Sequence, residues 1–337
     1  MPKVSATLHD VARHASVGIS TVSKVLNNYQ DIAPETRERV LRSVEELSYT
    51  PNRAARSFRT GKTNTVSIFM PMIGTDFYDR LVTAMDEELA AHDFDAALFP
   101  LLNPRRLERY KAPDALPYHA DGLIFASLNP DWLFTDARLP VGLPAVLVDA
   151  YHESYDTISV DNAGGAYAAT AHLLERPAPT FAILVEERFD TPFSSGVFLE
   201  RRKGFERALR EHGLEPGEDR VLNVEFGADG GRTAFRQILE RARPPLNIFS
   251  SCDLLARSVL DEASRLDLQL GEDVRVVGFD DQPWAKGLGL SSVHQPVERM
   301  GRLAIKMLLE RLTDSALEAR HQEIEPTLVV RGSSGGG

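Results

Sequence analysis

The chain has 337 residues, 43% of them hydrophobic and 26% charged, and this size predicts two or three globular domains rather than one. No run approaches the roughly 18 apolar residues of a membrane span, the opening Met1-Pro2-Lys3-Val4-Ser5-Ala6-Thr7 lacks the apolar core of a secretion signal, and a single cysteine, Cys252, excludes a disulfide framework or a Cys-based zinc cluster. The net charge of −11 is unevenly spread: residues 1–62 carry ten bases and six acids, a net +4, and the remainder carries −15. These features predict a cytoplasmic protein with a small basic head, able to face phosphates, on a large acidic body; chance clustering is the plainer alternative for the charge alone.

Leu8, Val11, Ala12 and Ala15 repeat at helical spacing. Thr7 with Asp10 three residues on approximates a capping box, and Ser16-Val17-Gly18 breaks the helix. Val22, Val25 and Leu26 restart the spacing, with Ser20, Thr21, Ser23, Lys24 and Asn27 on the other face. Pro34 suits the first turn of a third helix, whose expected inner face is Val40, Leu41, Val44 and Leu47. A second helix rich in short polar residues suits the major groove of DNA. There Lys24 can donate to guanine O6 and N7, Ser20 can serve several bases, and Ile19 can touch a thymine methyl. A three-helix protein-docking module with a solvated polar face has the same periodicity.

From Thr65 onward, apolar strands alternate with amphipathic helices. Strands are expected at 66–70, 95–99, 122–125, 145–148, 181–185 and 274–277. Helices are expected near 78–92, 163–175, 200–212, 230–242, 253–266 and 298–312. Alternation of this kind predicts parallel sheets covered on both faces. About 270 residues exceed one compact core, so two doubly wound lobes are expected, with ligands beyond the carboxyl ends of the strands. Asp149, Asp253 and Asp280-Asp281 stand at such ends. Paired carboxylates there suit sugar hydroxyls; capping of the next helix is the competing role.

Cys252 reads as a buried structural thiol, with a redox sensor as the alternative. The nine histidines form no metal pattern, and Gly227-Ala228-Asp229-Gly230-Gly231 matches neither a dinucleotide nor a phosphate loop, so no cofactor is expected. Ser333 to Gly337 reads as a disordered tail. No leucine heptads precede it, so no tetramerisation coil is expected.

The ordered set Thr7-Leu8-His9-Asp10-Val11-Ala12, Ser20 to Asn27, Pro34 to Val40, Glu46 to Asn52 and Ala54 to Gly61 resembles the lactose-repressor (LacI/GalR) family, and the resemblance continues through the large domain. It implies a multidomain protein: an all-α helix-turn-helix head (1–50), a hinge helix and linker (51–61), and an α/β two-lobed domain like a periplasmic binding protein (62–332), followed by the tail (333–337). It implies a homodimeric repressor of carbohydrate genes on a pseudo-palindromic double-stranded operator, switched by a small molecule such as a sugar, with no membrane partner.

By resemblance, Ile19, Ser20 and Lys24 read bases, while Thr7, Thr21, Ser23 and Asn27 hold phosphates. Asn52, Ala55 and Phe58 belong to the hinge, with Phe58 replacing the usual leucine wedge; a core aromatic is its alternative. Lys24 replaces an arginine and loses its fork, so a nonspecific phosphate contact is its other reading. Gly18 replaces a capping serine. The resemblance places Phe77, Tyr78, Asp149, Arg201, Phe226, Asp253, Asp280 and Gln295 around the effector. Cys252 replaces the usual asparagine, Met72 replaces a common aspartate, and residues 100–120 look shorter than usual; these departures suggest an atypical sugar, or another ligand. Two rival classes remain: a periplasmic-type sugar-binding module and an enzyme on a Rossmann-like scaffold. The missing signal segment and the basic head oppose the first; the lack of a nucleophile–base pair or cofactor loop opposes the second.

Overall fold

The structure, a computed structural model, describes residues 6–26, 29–49, 62–101, 120–128, 143–187, 193 and 195–335. The chain divides into two compact units, residues 1–63 and 64–337. The expected hinge segment, 51–61, lies outside the described residues.

In the first unit, α1 (Leu8–His14) opens on the capping box: Asp10 N donates to Thr7 Oγ1 at 3.3 Å and Thr7 N donates to Asp10 Oδ2 at 2.9 Å. Ser16, in the left-handed region at φ 54°, ends it. Helices α2 (Ile19–Leu26) and α3 (Pro34–Glu46) follow. Val11, Ala12, Ala15, Val22, Val25 and Val40 form the buried core. Leu41 is not part of it. It is 46% exposed, because Val40, Val44 and Leu47 already complete the inner stripe and Leu41 stands about 100° round from Val40. Ser43 is buried in its stead, donating to the Arg39 carbonyl and meeting His14 Nδ1 at 3.0 Å.

The second unit holds two six-stranded sheets. The first lobe contains β1 (Thr65–Met70), α4 (Asp76–Ala90), β2 (Asp95–Pro100), β3 (Gly122–Ala126), β4 (Ala145–Val148) and β5 (Asp156–Val160). The chain then builds the second lobe from α5 (Asn162–Leu174), β6 (Thr180–Val185), α6 (Val197–Glu211), β7 (Val221–Val224) and α7 (Ala228–Arg241). β8 (Leu246–Ser250), α8 (Asp253–Arg265), β9 (Val274–Asp280) and β10 (Ser291–His294) continue it. It returns to the first lobe for α9 (Val297–Thr313) and β11 (His321–Ile324), and ends in the second with β12 (Thr327–Val329). The sheet orders are β11-β5-β4-β3-β1-β2 and β12-β10-β9-β8-β6-β7.

Within each lobe the order turns back after the first strand, so a crevice opens at the carboxyl ends between β1 and β3 and between β6 and β8. The runs Val66–Met70 and Thr180–Val185 are buried on both faces and, Ser67 and Thr180 apart, apolar, as parallel strands covered by helices require. Gly204 lets α6 approach α5: a Cβ there would lie 2.1 Å from the Ala163 carbonyl oxygen.

The second sheet is not wholly parallel. β12 pairs antiparallel with β10. The physical reason is the crossing: β11 runs toward the cleft, and the chain enters the second lobe within two residues, with no helix to turn it round. The tail also departs from expectation. Gly332–Ser334 form a helical turn, Ser333 and Ser334 are buried, Ser333 Oγ donates to the Val276 carbonyl at 2.7 Å, and Ser334 Oγ meets His172 Nε2 at 2.8 Å. These partners are remote in sequence, so a Ser-Gly composition concealed them.

Asp156, at the start of β5, is fully buried between two guanidiniums: Arg311 donates to it at 2.7 and 3.0 Å, Arg320 at 2.8 Å. Burial pushes this carboxyl up, but the bonds from Arg311 and Arg320 outweigh it and hold the group at about 2. Asp156→Ala is expected to cost about 3–5 kcal/mol by leaving Arg311 without its carboxylate and Arg320 with only the exposed Glu310. In the parent protein this contribution is present above pH about 4 and is lost as pH falls toward 2. Urea unfolding of parent and variant from pH 7 to pH 3 checks both statements; equal midpoints at pH 7 would refute them.

Candidate functional site

On the head, α2 starts where the amides of Thr21 and Val22 bond to the Gly18 carbonyl. A serine Cβ at Gly18 would meet nothing closer than 3.6 Å, so packing does not demand glycine there. Val22 and Val25 turn inward, and Ile19, Ser20 and Lys24 stand exposed, with Thr21 and Ser23 half-buried beside them. Thr7 is exposed, with its hydroxyl committed to Asp10. Lys24 Nζ pairs with Asp31 Oδ2 at 2.5 Å, which raises the lysine pKa and lowers that of the aspartate. Both partners are about half exposed, and water screens such a pair, so Lys24 can exchange it for another acceptor. Asn27, Asn52, Ala55 and Phe58 lie outside the described residues.

In the large unit a cavity of about 680 Å³ lies at the carboxyl ends of both sheets. It falls in the range of small-molecule sites. Phe77 and Tyr78 reach it from the start of α4, packed edge to face at 5.1 Å. Asp149 follows β4, Asp280 ends β9, Arg201 comes from α6, Phe226 follows β7, and Gln295 lies between β10 and α9, where the chain crosses lobes. These seven expected residues line one space.

The eighth, Asp253, does not. It is fully buried behind the wall as the first residue of α8, accepting from Gln282 N at 2.8 Å and Ser292 Oγ at 2.5 Å. Neither effector contact nor helix cap describes it: it ties the start of α8 to the ends of β9 and β10. Its neighbours Cys252 and Leu254 do line the cavity there. Burial pushes the Cys252 thiol up to about 12, as for an inert structural cysteine.

Backbone strain concentrates at this wall. Ser127, Asp149 and Asp280 line the cavity at φ 49°, 54° and 116°, and Asp281 follows at 50°. Conformations of this kind cost of order 1–3 kcal/mol each and persist where the fold imposes them. Arg201, only 3% exposed, donates to Asn162 Oδ1 at 2.8 Å and to the Ser251 carbonyl at 2.5 Å. It lies 3.8 Å from Asp280 Oδ1 and 3.6 Å over the Phe279 ring. Burial drives Asp149 up to about 6, although Arg201 and the Ser127 hydroxyl pull it down. Burial likewise raises Asp280, against Arg201 and Gln295.

The family model for bacterial regulatory proteins of the lacI family matches residues 7–52, and that for a periplasmic binding protein-like domain matches residues 170–334. The HTH-type transcriptional regulator CelR of Thermobifida fusca is 32% identical over 341 residues, covering 97% of this chain and 98% of its own. The chain belongs to the lacI family.

A solved complex of a transcriptional regulator CelR with cellobiose is 30% identical, with a TM-score of 0.72 over 97% of this chain and 99% of that one. The lac repressor dimer bound to operator and the anti-inducer ONPF gives a TM-score of 0.85 over 98% and 99% of the two chains; at 21% identity this likeness shows the fold alone. These relatives are transcriptional regulators, not enzymes. Among the described residues no helix of this lacI-family chain is long and apolar enough to cross a membrane, and no three His, Cys, Asp or Glu side chains come together as a metal site would need.

Several lining residues of the lacI-family cavity escaped sequence reasoning: Ser127, Glu187, Phe198, Gln282 and Trp284. Ser127 and Glu187 carried a usable signal, since each follows a strand by one or two residues. Phe198 did not, because an aromatic near a helix start reads as core, and neither did Trp284, which stands in a turn between β9 and β10 with no strand end or helix start beside it.

Proposed function

We propose that this protein is a dimeric, cytoplasmic transcription regulator that represses carbohydrate-metabolism genes from a pseudo-palindromic operator, with a sugar-class molecule between the lobes setting its operator affinity. The observation that carries this reading is the convergence of the two lobes on one polar, aromatic-lined cavity in a chain whose head exposes Ile19, Ser20 and Lys24 along one helix. The cellobiose bound by CelR and the operator bound by the lac repressor dimer support it. Ile19, Ser20 and Lys24 read base edges; Thr7, Thr21, Ser23 and Asn27 hold the backbone; Asn52, Ala55 and Phe58 act at the hinge. Because the cavity spans both lobes, a ligand with unequal affinity for two lobe arrangements shifts the dimer between DNA-competent and DNA-released states.

The test is salt-dependent binding to DNA fragments from around the protein's own gene, with and without sugars. Tight, sequence-selective binding that a sugar changes is expected; weak binding indifferent to sequence and collapsing with salt refutes the reading. Lys24→Ala is expected to lower operator affinity about tenfold, the low end for a lost base contact because lysine lacks the arginine fork. If Lys24→Ala and Phe58→Ala both leave operator affinity unchanged, the assignment of the reading head fails.

A further inference from the structure

Lys24 does not stand alone on the exposed face of α2. Its Nζ donates to Asp31 Oδ2 at 2.5 Å, across the turn between α2 and α3. That turn is held from both sides. The Tyr29 amide closes back on the Lys24 carbonyl at 3.0 Å, Arg37 of α3 donates to the Tyr29 carbonyl, and Ile32 packs against the core of the head. Asp31 therefore keeps its place beside Lys24. Among the described residues, Asp31 is the one carboxylate that acts on Lys24, and Lys24 is the one charge that acts on Asp31.

Both side chains are about half exposed, so the pair adds little to the stability of the head. Its consequence lies in what DNA meets there. A lone lysine is a point charge that any phosphate attracts, whatever the sequence. Lys24 with Asp31 is a neutral pair. A phosphate gains little from it, because the carboxylate repels the same oxygen that the ammonium attracts. A base edge carries no net charge and loses nothing to the carboxylate. The ammonium has three donors. With one held by Asp31, two remain for neutral acceptors such as O6 and N7 of a guanine. Asp31 thus offsets the lack of an arginine fork by a different route, which penalises the phosphate alternative.

Building on the proposed regulatory reading, we propose that Asp31 is a positioning residue for sequence specificity: paired with Lys24, it leaves the ammonium available to a base edge and denies it to phosphates. Full-length parent, Asp31→Asn, Lys24→Ala and the double variant are titrated by fluorescence anisotropy, over a series of salt concentrations. The probes are the DNA fragment that the parent holds most tightly and a duplex of the same length and composition with shuffled sequence. Asp31→Asn is expected to raise affinity for the shuffled duplex about tenfold and operator affinity much less, so that the operator-to-shuffled ratio falls several-fold. Its salt dependence on the shuffled duplex is expected to steepen by roughly one phosphate contact per head. In the Lys24→Ala background the same substitution is expected to leave the ratio unchanged, because the residue it acts through is gone. A parent that is selective but whose ratio Asp31→Asn does not lower overturns this proposal alone. So does an equal fall in the ratio with and without Lys24, which would make Asp31 a general surface charge. A parent that holds no fragment above the shuffled duplex refutes the regulatory reading, and this proposal with it.

Discussion

Arg201→Ala is expected to unfold the large unit at a midpoint roughly 10 °C below the parent and to abolish the effector response. The guanidinium is buried, and its removal orphans Asn162 Oδ1 and the Ser251 carbonyl, empties the space over the Phe279 ring and leaves Asp280 near Asp149 with no cation between them. Breaking a buried pair in this way costs about 3–5 kcal/mol, and each kcal/mol is worth about 2–4 °C in a unit of this size. The reading head forms its own core and is expected to retain DNA binding at temperatures below the new midpoint. Adding Asp280→Asn to Arg201→Ala is expected to recover part of the lost midpoint, since the unpaired charge is then gone. Thermal unfolding and operator titrations measure all three. A single variant within 1 °C of the parent, with an intact response, would show that Arg201 neither supports nor reports the site.

The opposite result is expected at Asp149. Asp149→Asn should stabilise the effector-free protein by up to about 3 kcal/mol at pH 8 and weaken effector binding. The sign follows from linkage. Burial raises the Asp149 carboxyl from its ordinary 3.8 to about 6, so the folded state holds a proton more tightly than the unfolded chain. Its ionisation therefore penalises folding fully above pH about 6, and the penalty fades as pH falls from 6 toward 4. Roughly two units at about 1.4 kcal/mol each set the upper limit.

The groups around Asp149 are the Ser127 hydroxyl, Arg201 from α6, Asp280 from β9, Glu187 beyond β6 and Tyr78 from α4. Only Arg201 among them opposes the penalty with positive charge. Asparagine tolerates the left-handed backbone at this position, so the replacement keeps the local geometry. Parent and variant are compared by urea unfolding from pH 4 to pH 8. The variant's advantage should grow as pH rises from about 4 to about 6 and level off above it; a constant gap, or a gap that grows toward acid, contradicts the assignment.

Of the two residues, Arg201 was reached only through the family resemblance, whereas Asp149 was marked by its own surroundings in the sequence, and the reason is local. An aspartate at the end of an apolar run stands at the carboxyl end of a strand, and in a doubly wound lobe that is where ligands bind. The head was equally legible, because α1, α2 and α3 carry apolar residues at intervals of three and four, and the Thr7–Asp10 box lies within one turn. The main strands, β1, β3, β4 and β6, are short apolar runs whose burial on both faces leaves no doubt in composition.

What local pattern could not decide was anything set by a distant partner. β5, β10, β11 and β12 (Asp156-Thr157-Ile158-Ser159-Val160, Ser291-Ser292-Val293-His294, His321-Gln322-Glu323-Ile324 and Thr327-Leu328-Val329) are too short or too polar to read as strands; they exist because each finds a sheet edge or neighbour across the fold. Asp253 was read as a ligand contact because its position in sequence matches one, and only the approach of Gln282 and Ser292 turns its carboxylate away from the cavity. Ser333 and Ser334 looked like a solvated tail until Ser291, His172 and the Val276 carbonyl closed around them. Periodicity and strand-end chemistry are written within a few residues of chain; the satisfaction of buried polar groups is settled by residues 29 to 162 positions away, and only folding brings those together.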